Sequence, residues 1–117
     1  MNLEPGELFS ALSHPLRLRA LMLLQAEQEL CVCELTHVLG ASQPMVSRHL
    51  AQLRAAGLVD DRRRGLWIYY RIHPQLPDWA RDVLSATAAG TGADTPFADD
   101  RLALTDMPNR PGASCCA

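Results

Sequence analysis

The stretch "ELCVCEL", residues 29–35, sets two thiols, Cys31 and Cys33, two positions apart, and a second pair, Cys115 and Cys116, stands near the end of the 117-residue chain. Four cysteines could form an exported disulfide framework, but nothing in the sequence argues for export, so free thiols or soft-metal ligands are expected. The spacing imposes a geometric condition. On a regular helix, side chains two residues apart point about 200° away from each other. A shared ligand needs both sulfurs a little over about 2 Å from it, by analogy with zinc thiolates. The first pair can converge only if the backbone at its start is non-helical or becomes distorted. The plain alternative is that Cys31 and Cys33 are small buried hydrophobes, and that Cys115 and Cys116 are an incidental, oxidisable appendage.

Enzyme chemistry is not expected. The cysteines are not arranged as C-x-x-C and no anion-binding loop precedes them. His14, His37 and His73 lack partners at ligand spacing; His37 lies one turn beyond Cys33. His49, beside the apolar face of its helix, reads as a structural histidine. No organic cofactor is implied.

The apolar fraction of 48% suits a folded domain, no run approaches the roughly 18 apolar residues of a membrane span, and "MNLEPGELFS" lacks a basic signal region, so a cytoplasmic location is expected. A formal net charge of −2 conceals an uneven distribution. Residues 1–41 carry two Arg against five acids, whereas residues 42–73 carry six Arg against Asp60 and Asp61. The middle third is the basic part of the chain, the footprint of a polyanion partner.

The elements that must position these groups follow from periodicity and punctuation. A first helix is expected from Pro5 to Leu12, and a second from "SHPLRLRALMLL", with Ser13 as cap and Pro15 in its first turn. Leu16, Leu18, Leu21, Leu23 and Leu24 give it a wide apolar stripe. A third helix is expected from Cys31 to Leu39, stopped by Gly40. The fourth has Ser42 as cap, Pro44 in the first turn and Gly57 as terminator. In it Val46, Leu50 and Leu53 face inward, leaving Gln43, Ser47, Arg48 and Arg54 more exposed.

"LVDDRRRGLWIYYRI" then changes period and predicts a β-hairpin turning at Arg64 and Gly65, with Ile68, Tyr70 and Ile72 on one face and Trp67, Tyr69 and Arg71 on the other. A last helix is expected from Pro77 to Ala88, with apolar positions Trp79, Val83 and Leu84. Residues 1–89 are thus expected as one domain and 90–117 as a flexible tail ending in the cysteine pair.

Two short helices joined by "LGAS", the second polar and cationic outside, have the spacing of a helix-turn-helix, and the Arg-rich hairpin supplies a wing. The fold class is mainly α with a β-hairpin, a winged helix-turn-helix of four helices, a two-stranded wing and a C-terminal helix. Its partner would be double-stranded DNA, with no membrane. Gln43 can pair with adenine and Arg48 with guanine, each worth roughly 1–3 kcal/mol of discrimination. Ser47 suits a phosphate, and Arg62, Arg63 and Arg64 can reach phosphates or the minor groove.

Taken together, "ELCVCEL", "SQPMVSRHLAQLRAAGLV" and "RRRGLWIYYRI" resemble the ArsR family of metalloid- and metal-responsive repressors over about residues 7–89, and the first motif resembles its arsenic-responsive branch. The resemblance implies a homodimer paired through its first and last helices. It would repress an arsenic- or antimony-resistance operon from an inverted-repeat operator and leave when inducer binds. Arsenite and antimonite are soft centres that prefer three sulfurs. Relatives often carry a third cysteine where this chain has Thr36, so Cys115 or Cys116 is the candidate for the missing thiolate, and inducer capture is expected to strain the start of the third helix. A cadmium or lead sensor, or a thiol redox switch on the same scaffold, is the alternative.

Overall fold

A computed structural model describes residues 3–108 and Arg110. Six helices and a small sheet follow one another as α1 (Pro5–Ser13), α2 (Pro15–Ala26), β1 (Leu30–Cys31), α3 (Val32–Leu39), α4 (Gln43–Ala55), β2 (Val59–Arg64), β3 (Trp67–Ile72), α5 (Asp78–Thr91) and α6 (Phe97–Thr105). The leucines of α2 account for its central place. Leu21, Leu23 and Leu24 are buried, and α2 touches α1, α3, α4, α5, α6 and β3. Each such leucine contributes about 1.5–3 kcal/mol of burial.

The helix-turn-helix is built from α3 and α4. Gly40 takes a left-handed conformation, φ 65°, that ends α3. The hydroxyl of Ser42 then accepts the Met45 N–H at 3.3 Å and caps α4. Val46, Leu50 and Leu53 are buried as expected.

Several boundaries differ from the sequence reading. His14, not Ser13, caps α2: its Nδ1 accepts the Leu16 N–H at 3.2 Å, while the Ser13 hydroxyl donates back to the Ser10 carbonyl. The hairpin turns at Gly65 and Leu66, with φ 63° at Gly65, and Arg64 is the last residue of β2, opposite Trp67. Trp79, an apolar position of the last helix, is 41% exposed. Tyr69 is buried as deeply as Tyr70, because the Arg62 guanidinium covers its ring at 5.9 Å and β1 flanks it.

The sheet has three strands in the order β1-β3-β2, all antiparallel. Only β2 and β3 were legible as strands. Two residues of β1 carry too little pattern to read, yet they pair Leu30 with Tyr70 and Cys31 with Tyr69.

The segment from residue 90, expected as a tail, instead completes α5 and forms α6. Leu104 is buried, and Phe97 and Ala103 lie against the core. Arg19 on α2 grips Asp100 on α6 with two bonds, Nε to Oδ2 at 2.9 Å and Nη2 to Oδ1 at 2.7 Å. Asp100 is 5% exposed, and its twin hydrogen bonds replace the hydration its carboxylate gives up. Cys115 and Cys116 lie outside the described residues.

Candidate thiol site and nucleic-acid interface

The geometric condition on the first cysteine pair is met by the junction of β1 and α3. Cys31 is the N-cap of α3, with extended backbone at φ −72° and ψ 150°. Cys33 is the second residue of the helix. The 200° divergence of a regular helix therefore does not apply, and the two sulfurs lie 2.8 Å apart. The sulfurs meet without unwinding α3, because the first of them lies ahead of the helix rather than within it.

Cys31 does a capping residue's work. Its sulfur accepts the Cys33 N–H at 3.4 Å, and the Glu34 side chain returns the favour, its Oε1 accepting the Cys31 N–H at 2.8 Å. This is a capping box with a thiol in the hydroxyl position. Glu34 is a site residue the sequence reading passed over. Its signal was present: an acidic residue three positions after a polar cap.

Glu34 is only 2% exposed, and its second oxygen accepts from Arg110 Nε. Arg110 also donates to Glu27 at 2.8 Å. One buried carboxylate thus joins the start of α3 to the chain beyond α6. Burial pushes the Cys33 thiol up to about 12, aided by the hydrogen bond and charge of Cys31 and by the charge of Glu34. A helix N-terminus ordinarily lowers a thiol's pKa; here burial and negative neighbours win.

The thiols open into a cleft of about 480 Å³ lined by Cys31, Val32, Cys33, Thr36, His37, Gln43, Ser47, Leu66, Trp67 and Ile68. Two of the expected DNA-reading side chains, Gln43 and Ser47, therefore share a cavity with both thiols. Thr36 turns away from a ligating role, its hydroxyl donating to the Val32 carbonyl at 2.8 Å. Among the described residues no group of three or more His, Cys, Asp or Glu could hold a metal ion.

The cationic side chains divide by their partners. Arg48, Arg63 and Arg64 are exposed. Arg62 instead forms a fork with Glu29, both bonds 2.6 Å, and holds the Glu29 carboxyl below the usual carboxylate range. Arg54 pairs with Asp61 at 2.8 Å, tying the end of α4 to the wing. His49 is structural, as expected: Arg17 Nε donates to its Nδ1 at 3.1 Å, and its ring lies 4.6 Å from that of His14. Burial, then the charges of His14, Arg17 and Arg48, lower its pKa.

The family of bacterial regulatory proteins known as arsR matches residues 14–61. The arsenic resistance transcriptional regulator ArsR1 of Pseudomonas putida is 46% identical over 93% of this chain and 84% of its own length. The chain belongs to the ArsR family. The arsenical resistance operon repressor of Escherichia coli is 46% identical to this ArsR-family chain over 70% of each. HlyU from Vibrio cholerae has the same winged-helix fold, with TM-score 0.65 and 29% identity over 73% of this chain and 88% of that one. The family is one of transcriptional regulators, not enzymes. Among the described residues no helix is long and apolar enough to cross a membrane.

Proposed function

We propose that this ArsR-family chain is a repressor of an arsenic- or antimony-resistance operon, released from operator DNA when Cys31 and Cys33 capture a trivalent metalloid. One observation carries this reading: the two sulfurs, 2.8 Å apart, open into the cleft that Gln43 and Ser47 also line. Two sulfurs bonded at about 2.3 Å to one pyramidal centre stand about 3.4 Å apart, so the pair needs to open by only a fraction of an ångström. Bonding at Cys31 draws its sulfur from the Cys33 N–H that it caps. It also loads β1, which is paired to the wing through Tyr69. Release then follows from changes at the first turn of α4 and at the wing together.

The third thiolate that arsenite prefers comes, in this reading, from Cys115 or Cys116. Support comes from Arg110, whose bond to Glu34 fixes a point of the chain beside the Cys31 amide. Cys115 stands five positions after Arg110, a reach of roughly 17 Å when extended. The operator is an inverted repeat bound by a homodimer in the cytoplasm. Exposed apolar side chains on α1 and α5, Phe9 and Trp79, suit pairing through those helices.

The test is a titration of the reduced full chain on its own upstream DNA with arsenite, antimonite, cadmium and zinc. The metalloids should lift the protein at the lowest concentration, and Cys33→Ser should abolish the effect. Release by zinc alone would overturn the choice of inducer. Release by a mild oxidant, without metalloid, would favour a thiol redox switch, the second use to which sulfurs this close lend themselves.

A further inference from the structure

α2 meets α4 through apolar side chains, Leu16 and Ala20 on one helix and Val46, Leu50 and Leu53 on the other. Apolar burial is non-directional, whereas a hydrogen bond has the angular preference that fixes a rotation. Beside the apolar contacts one polar side chain spans the two helices. Arg17 on α2 donates from Nε to His49 Nδ1 at 3.1 Å and from Nη2 to Gln52 Oε1. His49 and Gln52 stand three positions apart on α4 and so share one flank of it. The exposed Arg48 is the neighbour of His49 in the chain. A planar guanidinium delivers both bonds as a fixed fork, which an ammonium cannot reproduce.

His49 Nδ1 can accept only while the ring is neutral, with its proton on Nε2. Burial, then the charges of His14, Arg17 and Arg48, lower the His49 pKa. The bond to Arg17 is therefore present at neutral pH and lost as pH falls through that lowered value. His14, its ring 4.6 Å away at the junction of α1 and α2, is likewise an acceptor, its Nδ1 taking the Leu16 N–H. On α1, Glu7 lines the neighbouring cleft that Arg17 and Gln52 share.

We infer that Arg17 is a positioning residue for DNA reading: from α2 it fixes the rotation of α4 through His49 and Gln52, so the preference for operator over other DNA requires a neutral His49 and is lost in mild acid. The inference rests on the reading of α4 as the helix that enters the major groove, and it involves neither the thiols nor the inducer. A proton on Nδ1 sets a donor against the Arg17 donor and releases that flank of α4. The same proton adds positive charge, which phosphates of any sequence attract. Acid should thus lower operator affinity while sparing affinity for unrelated DNA.

The experiment measures fluorescence anisotropy of the full chain, at fixed salt, on two duplexes of equal length, its own upstream DNA and a scrambled sequence. For the unchanged protein the ratio of the two affinities should fall about fivefold or more between about pH 7.5 and about pH 5.5. Arg17→Lys keeps the charge but not the fork, and should show the low ratio already at the higher pH. His49→Asn offers an amide oxygen in place of Nδ1 that accepts at either pH, and should keep the ratio high and lose most of its pH dependence. The inference is overturned if Arg17→Lys retains the full ratio, or if His49→Asn retains the full pH dependence. Should the lysine variant fail to fold in urea titrations, the asparagine variant decides alone. Gln43→Ala with Arg48→Ala tests the reading beneath. A ratio untouched by that pair means that α4 does not read bases, and the two ideas fall together; a ratio lowered by that pair but indifferent to Arg17 and His49 sinks this inference alone.

Discussion

Cys31 stands opposite Tyr69 across the β1–β3 ladder, so the first thiol of the pair lies on the strand beside the one that carries Trp67 and Ile68 into the same cleft. The backbone that holds the sulfur is thereby part of the wing, and the helix it caps is the first of the helix-turn-helix. Under the proposed function, thiol chemistry and DNA reading meet without an intervening relay.

Cys31 has two duties, and two substitutions separate them. Serine is a good helix cap and cannot ligate a soft centre; alanine can do neither. Cys31→Ser should abolish metalloid-induced release while keeping the cap. Cys31→Ala should abolish release and also lie about 1 kcal/mol below the serine variant in urea unfolding. Equal stabilities for the two would contradict the capping geometry.

Glu34 is a buried carboxylate between the Cys31 amide and Arg110. Arg110→Ala should cost about 1–3 kcal/mol of stability, because the acid is then left buried without its cation. Glu34→Gln should cost a similar amount but shed less when combined with Arg110→Ala than the two single losses added together. A double-mutant cycle with strictly additive losses would show that the pair does not interact.

The pH dependence of binding tells the ligands apart. The Cys33 thiol, pushed up to about 12, is protonated at neutral pH, so a divalent cation that takes its sulfur must expel a proton, and cadmium affinity should rise about tenfold per pH unit. An arsenic hydroxide carries the proton away as water, and its affinity should be nearly flat between about pH 6 and about pH 8. Competition titrations at the two ends of that range measure both slopes; a steep arsenite slope would mean that capture releases a net proton to solvent.

On the wing, Arg63→Ala and Arg64→Ala should each weaken operator binding and lower the slope of log K against log salt by about one. Arg62→Ala should lower it by less, since that guanidinium is already committed to Glu29 and to the Tyr69 ring. A full unit lost with Arg62 would indicate that the pair with Glu29 parts when DNA binds.

How much of this was legible beforehand depended on how much pattern each element carries. The helix-turn-helix is spelled by Gly40, Ser42, Pro44 and the Val46, Leu50, Leu53 stripe, and it folds where those residues put it. The wing strands were plain from β-branched and aromatic residues. β1 was not, because two residues have no period, and only the ladder to β3 makes them a strand. α6 was read as tail because its anchor is the ion pair of Asp100 with Arg19, a partner 81 residues distant in sequence. Likewise the convergence of Cys31 and Cys33 hinged on a one-residue shift in where α3 begins, the least readable property of any helix.

Because one cleft is bounded by both thiols and by Gln43, Ser47 and the hairpin tip, under the proposed function tuning what the protein senses and tuning where it sits on a genome draw on overlapping residues. A descendant that enlarges its chemical repertoire through Leu66 or Gln43 disturbs its address at the same stroke, so in this fold inducer and operator are under pressure to diversify together.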